Sequence, residues 1–432
     1  MKRDRYNLFI GTWVDTQSNP FMQSQVLRVR ERTGLLVDGS GRIVAIETPN
    51  HLRNKADEVI DLGDAWLLPG FVDAHIHFPQ VFATAYHAGP LLEWLEKNVF
   101  PRETKLADPA FAEQAAGMFV HQMVRQGTTC AAIYGSQFVP ANRALSQALD
   151  QFGMRAFWGP TLMDRGAPEV LCHSVSVWQD QLNDLASFLA GHPKQLPSLI
   201  PRFVLSCSPE LTELISEWAK SHPDWLIQTH INENVGEIEA VRAEFPKQTY
   251  AEVYQNQGLL GPRTLLAHSI HATDREWAVL RETQSRVVHC PCSNGFLGSG
   301  LFPLHKALAA QVNVCVGTDI GAGTSFSMAR ELTDLYKIQA LQQFLLKGEQ
   351  LLFLATQAGA DALGLGSERG SFDVGKQADF SVWDPQADPY LSARWSACES
   401  EKEALFLLLV WANPNTTYID GKKVAEFGKD VS

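Results

Sequence analysis

Between roughly residues 66 and 320 the chain repeats one pattern, in which a short apolar run of strand length gives way to a longer helical stretch. We place strands near Trp66–Val72, Thr128–Ile133, Arg155–Trp158, Leu199–Val204, Trp225–Thr229, Thr264–Ala267, Arg286–Val288 and Val312–Gly317. Strands that alternate with helices predict parallel pairing, because each helix carries the chain back to start the next strand alongside the last. Eight such units predict an α/β fold, a (β/α)8 TIM-like barrel, whose functional groups sit where strands end and loops begin.

The flanks have a different texture. Leu35-Leu36-Val37-Asp38-Gly39 and Gly41-Arg42-Ile43-Val44-Ala45-Ile46 alternate between glycines, and the same style returns in Ala378-Asp379-Phe380-Ser381-Val382-Trp383 and Thr417 to Val424. Period-two alternation predicts hairpins. We expect residues 1–66 and 371–432 to form one small composite β-sandwich domain, with 67–370 as the barrel.

Four chemistry-bearing segments follow directly on the barrel's apolar runs: His75-Ile76-His77, His230, His268 and Asp319. On extended chain, residues i and i+2 point the same way, so His75 and His77 can reach one ion. A single histidine after a strand is by default a hydrogen-bonded loop residue, and Asp319 alone reads as a helix N-cap. Their conjunction at the ends of four strands points instead to a catalytic metal site, in which imidazole nitrogen and carboxylate oxygen leave one position open for water. Such an ion brings its water's pKa toward neutrality and so supplies hydroxide. Glu233, three residues after His230, can turn back over the site as general acid/base, or can be a solvated glutamate favoured at a helix start. His268 can bind the metal or orient the water.

The formal charge of −12, from 36 basic and 48 acidic residues, argues against a nucleic-acid polymer or an anionic membrane as partner and favours a small substrate. No signal-like segment follows Met1, and the longest apolar run, Ala404 to Ala412, is too short to span a bilayer. Seven cysteines without framework spacing fit reduced thiols. A cytoplasmic protein is expected.

Pro69-Gly70-Phe71-Val72-Asp73-Ala74-His75-Ile76-His77, His230, His268, Val316-Gly317-Thr318-Asp319 and Gly370-Ser371-Phe372-Asp373-Val374-Gly375-Lys376 together resemble the amidohydrolase superfamily over nearly the whole chain. Phe78-Pro79-Gln80, Leu91-Leu92-Glu93-Trp94-Leu95, Pro201-Arg202-Phe203, His230-Ile231-Asn232-Glu233-Asn234, Cys290-Pro291-Cys292-Ser293-Asn294 and Gly317 to Thr324 are similar, within it, to the guanine deaminases. The resemblance implies one zinc per chain on His75, His77, His230 and Asp319, with iron as the other candidate metal. It further implies Glu233 as proton shuttle, His268 beside the water, Asp319 assisting as a base, and Gln80, Arg202 and Phe203 holding the purine. The implied reaction is hydroxide attack on C2 of guanine, giving xanthine and ammonia, in a homodimeric enzyme. A guanidinium and an amide suit a purine's acceptor edge, whereas Phe203 is by default core packing. The roles of Glu93 and Trp94 stay open.

A lysine that could bridge two metals is missing from Leu199 to Cys207, which favours one ion. The glycine-rich stretch Gly370 to Lys376 approaches a phosphate loop, but Gln377 stands where Ser or Thr is needed. His230-x-x-Glu233 and Cys290-Pro291-Cys292 lack the spacing of the cytidine-deaminase zinc signature. Two alternatives remain: a deaminase of another heterocycle, such as a modified purine, pterin or triazine, and a non-catalytic barrel acting as a scaffold.

Overall fold

The structure, a computed structural model, describes residues 5–86, 89 and 91–426. The chain opens with β1 (Asn7–Thr16), β2 (Leu27–Val37), β3 (Ile43–Glu47) and β4 (Glu58–Pro69). Eight strands follow: β5 (Phe71–His77), β6 (Thr128–Gly135), β7 (Arg155–Leu162), β8 (Gln195–Pro201), β9 (Leu226–Ile231), β10 (Thr264–His268), β11 (Arg286–His289) and β12 (Val314–Val316). The chain closes with β13 (Phe380–Trp383), β14 (Thr416–Ile419) and β15 (Lys422–Glu426).

Strands β5 to β12 pair in sequence order, each parallel to the next, as the barrel of a (β/α)8 fold. Hydrogen bonds across the seam between β12 and β5 complete the ring. The Asp319 amide donates to the His75 carbonyl at 2.8 Å, and the His77 amide donates to the Ile320 carbonyl at 3.0 Å. The seam is tight enough to require Gly317, where an added Cβ would lie 2.7–2.9 Å from the backbone N and O and the Cβ of His75.

The terminal strands form a seven-stranded sheet in the order β15-β14-β13-β4-β1-β2-β3, with β1 parallel to β4 and the other pairs antiparallel. One face carries an aromatic core in which Phe9 meets Phe380 at 5.2 Å, Phe380 stacks on Tyr418 at 4.6 Å and Trp13 meets Phe372 at 4.9 Å. Such pairs each add about 0.5–1.5 kcal/mol beyond burial. Val14, Trp66 and Leu68 pack into the barrel core instead. The buried ion pair of Arg369 with Asp379 holds the two parts together, since the Asp379 carbonyl also accepts from Gly70 at 2.9 Å.

The expected first barrel strand, Trp66–Val72, divides in two. Trp66–Pro69 end β4 and pair with β13, and the barrel strand starts at Phe71. The apolar run is continuous because both pieces are buried, so periodicity does not mark the break. Gly70 does: a Cβ there would meet the Thr129 side chain at 2.1 Å. The fourth strand is also earlier than expected, ending at Pro201, with Val204–Ser206 forming a 3-10 turn.

Helices start where short polar side chains can cap free amides. The helix Pro109–Arg125 has the Asp108 carboxylate accepting from Phe111 at 3.1 Å and buries Ala112, Ala115, Phe119, Val120 and Met123 against the barrel. Capping boxes begin the helices at Thr249 and Thr273. The apolar run Ala404 to Ala412 lies mostly within the helix Glu401–Trp411, which buries Leu405, Leu408 and Leu409. Among the described residues no helix is long and apolar enough to cross a membrane. The Gly370–Lys376 stretch is a turn whose Lys376 ammonium donates to the Gly366 and Arg369 carbonyls, the Gln357 amide oxygen and the Ser371 hydroxyl.

Candidate metal centre

The ends of β5, β9 and β12 bring His75, His77, His230 and Asp319 together, with one donor atom of each within 4.8 Å of the others, and all four are buried. His75 Nε2 lies 3.1 Å from His77 Nε2, which lies 3.3 Å from His230 Nε2. Asp319 Oδ1 is 3.3 Å from His75 Nε2 and 3.1 Å from His77 Nε2. The tautomer of His230 follows from its other nitrogen: Nδ1 donates to the Arg202 carbonyl at 2.6 Å, leaving Nε2 as a lone-pair donor. Imidazole lone pairs that converge with a carboxylate repel one another unless a cation lies between them. This donor set fits a metal ion.

The electrostatics agree. Burial pushes His75 down to about 4, with the neighbouring His77 and His268 acting the same way against the pull of Asp319. Burial also lowers His77, and it lowers His230 well below the usual imidazole range. For Asp319, burial acts upward, but the neighbouring His75 and His77 outweigh it and hold the carboxyl well below the ordinary carboxylate range. Neutral imidazoles and an ionised carboxylate are the forms that ligate.

His268 stands beside this cluster at the end of β10. Its Nδ1 donates to Asn294 Oδ1 at 2.9 Å, so Nε2 is the acceptor. That Nε2 is buried without a hydrogen-bond partner among the described residues, 3.5 Å from Glu233 Oε2 and 3.8 Å from Asp319 Oδ2. A buried polar atom left unpaired is a place for a water or a ligand. Glu233 is 4% exposed and not a solvated helix-start residue, and burial, then Asp319 and Glu237, raise its carboxyl well above the usual range. Asp319 is no N-cap either, because the next helix starts at Met328 and is capped by Ser327.

A pocket opens beside these groups, lined by His77, Gln80, Leu91, Trp94, Arg202 and Phe203 among others. A larger cleft, near Phe21, His305 and Phe353, includes none of the ligands. Phe203 and Trp94 are both largely buried at the pocket wall, and the Trp94 indole N–H has no hydrogen-bond partner among the described residues. Glu93 faces away, half exposed and paired with Lys97 at 2.5 Å. Cys290 and Cys292 are free thiols, with Cys292 Sγ 3.0 Å from the Thr324 hydroxyl.

Several buried partners escape sequence reasoning. The Asp73 carboxylate accepts from the Thr318 amide at 3.0 Å, the Thr318 hydroxyl at 2.5 Å and the His75 amide at 3.2 Å, so it ties β5 to the loop bearing Asp319. Its position two residues before His75 was a usable signal, since Asp73, His75 and His77 share one face. Glu237 accepts from the Glu233 amide at 3.0 Å and the Tyr250 hydroxyl at 2.7 Å, and Asn294 orients His268. Glu103 pairs with Arg202 and Gln80 from a stretch, Phe100-Pro101-Arg102-Glu103, that carries no mark of function.

The sequence profile of the amidohydrolase family matches residues 66–424. The guanine deaminase of Escherichia coli (strain K12) is 35% identical over 426 residues, spanning 96% of this chain and 97% of that protein. A solved E. coli guanine deaminase structure superposes with a TM-score of 0.94 at 34% identity, covering 97% of this chain and 99% of the other. A guanine deaminase from C. acetobutylicum, solved with guanine in its active site, gives 0.86 at 26% identity, covering 97% and 100%. With the profile spanning the barrel and the full-length relatives sharing the whole architecture, the chain belongs to the amidohydrolase family.

Proposed function

We propose that the protein is a guanine deaminase, hydrolysing guanine to xanthine and ammonia. The observation that carries this reading is the pairing of two opposed sets of groups in one pocket. Arg202 and Gln80 present donors suited to a purine's oxo edge, while Glu233 and His268 flank the space beside the four ligands. The near full-length kinship with guanine deaminases supports the same substrate.

In this reading His75, His77, His230 and Asp319 hold one zinc ion, or iron, which supplies an acidified water at neutral pH. Arg202 and Gln80 bind the purine, and Phe203 offers an aromatic wall to the heterocycle. His268 Nε2 accepts a hydrogen bond from the attacking water and so aims it. Glu233, whose raised pKa suits transfer in both directions, takes the water's proton as oxygen adds to C2 and delivers it to a ring nitrogen. Asp319 assists as a base. As the new C2 hydroxyl gives up the second water proton and becomes the 2-oxo group, that proton passes through Asp319 and Glu233 to the leaving amine, the C2–N bond breaks, and ammonia departs.

The same reading places the enzyme in the cytosol as a homodimer, with the free cysteines consistent with a reducing compartment. It also takes residues 67–370 as the catalytic unit and 1–66 with 371–432 as a composite β-domain, of which 1–4 and 427–432 lie outside the described residues.

The experiment is the ultraviolet spectrum of guanine incubated with metal-analysed protein, alongside Glu233→Gln and a panel of other aminoheterocycles. We expect conversion to xanthine with one metal per chain, and a fall in kcat of about 10²–10⁴-fold in the variant at unchanged metal content. Metal-loaded protein that leaves guanine intact but deaminates a panel member moves the assignment to that heterocycle.

A further inference from the structure

The segment from Leu91 to Ala107 crosses the barrel mouth in short helical turns and puts Leu91, Trp94 and Leu95 on the pocket wall. Near its end stands Glu103, 1% exposed, whose carboxylate does not touch the metal cluster. Its two oxygens take Arg202 Nη1 at 3.2 and 3.0 Å, and one of them also accepts from Gln80 Nε2 at 3.2 Å. The far end of the Gln80 amide is fixed as well, because its Oε1 accepts from the Gly321 amide at 3.2 Å. Phe100, one turn before Glu103, lies against the guanidinium, with Arg202 Cζ 5.1 Å from its ring centroid.

Each contact removes a freedom that matters for recognition. A glutamine amide offers two donors at one end and acceptors at the other, so an unrestrained side chain can present either. Glu103 and the Gly321 amide together permit one orientation, with Nε2 on the carboxylate. The guanidinium is engaged through Nη1, which leaves Nη2 and Nε for a ligand. Glu103 also neutralises Arg202, so the pocket offers hydrogen bonds without a net buried cation and suits a neutral heterocycle over an anion.

We propose that Glu103 is a positioning residue that sets the enzyme's preference for 6-oxopurines, by holding Arg202 and Gln80 as one fixed pair of donors. This inference rests on the reading of Arg202 and Gln80 as purine contacts. Glu103 does not touch the reacting atoms. Its influence reaches them only through where the ring is held.

The test compares wild type with Glu103→Gln and Glu103→Asp in the metal-loaded enzyme. Three readouts are taken: KM and kcat for guanine, and inhibition constants for hypoxanthine, which carries the 6-oxo group, and for purine, which lacks it. In E103Q we expect KM for guanine and the hypoxanthine constant to rise about 10- to 100-fold, the loss of one or two charge-assisted bonds. Purine inhibition and kcat should stay within about threefold, with metal content unchanged, since a lost charge-assisted bond touches only the ligand that used it. E103D keeps the charge and should fall between wild type and E103Q. Should E103Q fail to fold, the hypoxanthine-to-purine comparison in E103D carries the same test. Hypoxanthine and purine constants that move together, or a guanine KM that does not move, overturn the inference while the substrate reading stands. Wild-type protein that leaves guanine unchanged overturns the substrate reading, and this inference with it.

Discussion

Replacing Gly317 by alanine tests whether the barrel seam sets the metal geometry. The added methyl would sit 2.7 Å from the His75 amide nitrogen, 2.8 Å from its Cβ and 2.9 Å from its carbonyl oxygen. Ordinary carbon contacts begin near 3.4 Å, so β12 must part from β5 by at least about 0.7 Å. The colliding atoms are mostly backbone, and no rotamer change relieves them. The strain falls between two ligands, because His75 is the residue struck and Asp319 follows Gly317 by two positions, its amide bonded to the His75 carbonyl at 2.8 Å. A displacement approaching 1 Å in a preorganised site costs roughly 10²-fold in rate, and forced overpacking costs about 1–3 kcal/mol. We expect G317A to fold with a lowered melting temperature, to lose metal faster than wild type on dialysis against a chelator, and to have kcat reduced about 30- to 100-fold. Gly117→Ala is the control: nothing lies within 4 Å of its added Cβ, it sits inside the helix Pro109–Arg125, and it should gain about 0.5–1 kcal/mol. Metal analysis by mass spectrometry, thermal melts and guanine turnover read the outcome. G317A with full metal occupancy after chelation and kcat within twofold of wild type would refute the reasoning.

Two further predictions concern groups outside the ligand set. His289, stacked on Phe302 at 4.5 Å, is pushed down to about 3, by burial first and then by His268. Its folded pKa lies below its unfolded value, so between about pH 6.5 and pH 3 the unfolded chain binds a proton that the folded one does not, and stability falls by about 1.4 kcal/mol per pH unit on acidification. His289→Gln should flatten the pH dependence of the urea midpoint by about one proton's slope across pH 6 to 4.5, and identical slopes would count against it. Asp379→Ala leaves Arg369 buried without its partner at the junction of sheet and barrel, and should cost about 3–5 kcal/mol in denaturant titration. A loss below about 1 kcal/mol would show that the pair is dispensable.

The barrel was legible because its strands are buried on both faces and its helices on one, which writes two different periods into the sequence. The same burial hid the boundary at Gly70, where a strand of the terminal sheet runs into the first barrel strand without a polar residue between them. The His/Asp cluster was legible for a related reason: histidines and an aspartate at the ends of apolar runs are polar residues where chain direction changes, and His75 and His77 share a face. Glu103 and Glu237 were not. Each is a lone carboxylate in a helical stretch, indistinguishable in sequence from the solvated Glu93, and only the fold shows that two are buried on a site while the third faces water.

Backbone conformation helps to aim Asp319 and His268 at the site, whereas His75 and His77 reach it by ordinary strand alternation. Asn232, His268, Ser269 and Asp319 have φ values of 51°, 75°, 51° and 50°, in the left-handed region that L side chains avoid. Each such residue costs about 1–3 kcal/mol and persists only where its surroundings over-determine it. Here they do: the Ser269 amide donates to the Ile231 carbonyl at 2.8 Å, and the Asp319 amide donates to that of His75. The left-handed turns at the end of β10 and after β12 aim His268 and Asp319 inward across the barrel end instead of letting them follow the strand's alternation. Glycine would take these angles without strain but would bring no imidazole or carboxylate. The strain is therefore localised where side-chain chemistry is needed, and the hydrogen bonds that hold it join neighbouring strands. A perturbation of the seam between β12 and β5 should then reach the metal before it reaches the rest of the fold, which is why activity and metal retention, more than melting temperature, are the sensitive readouts of G317A.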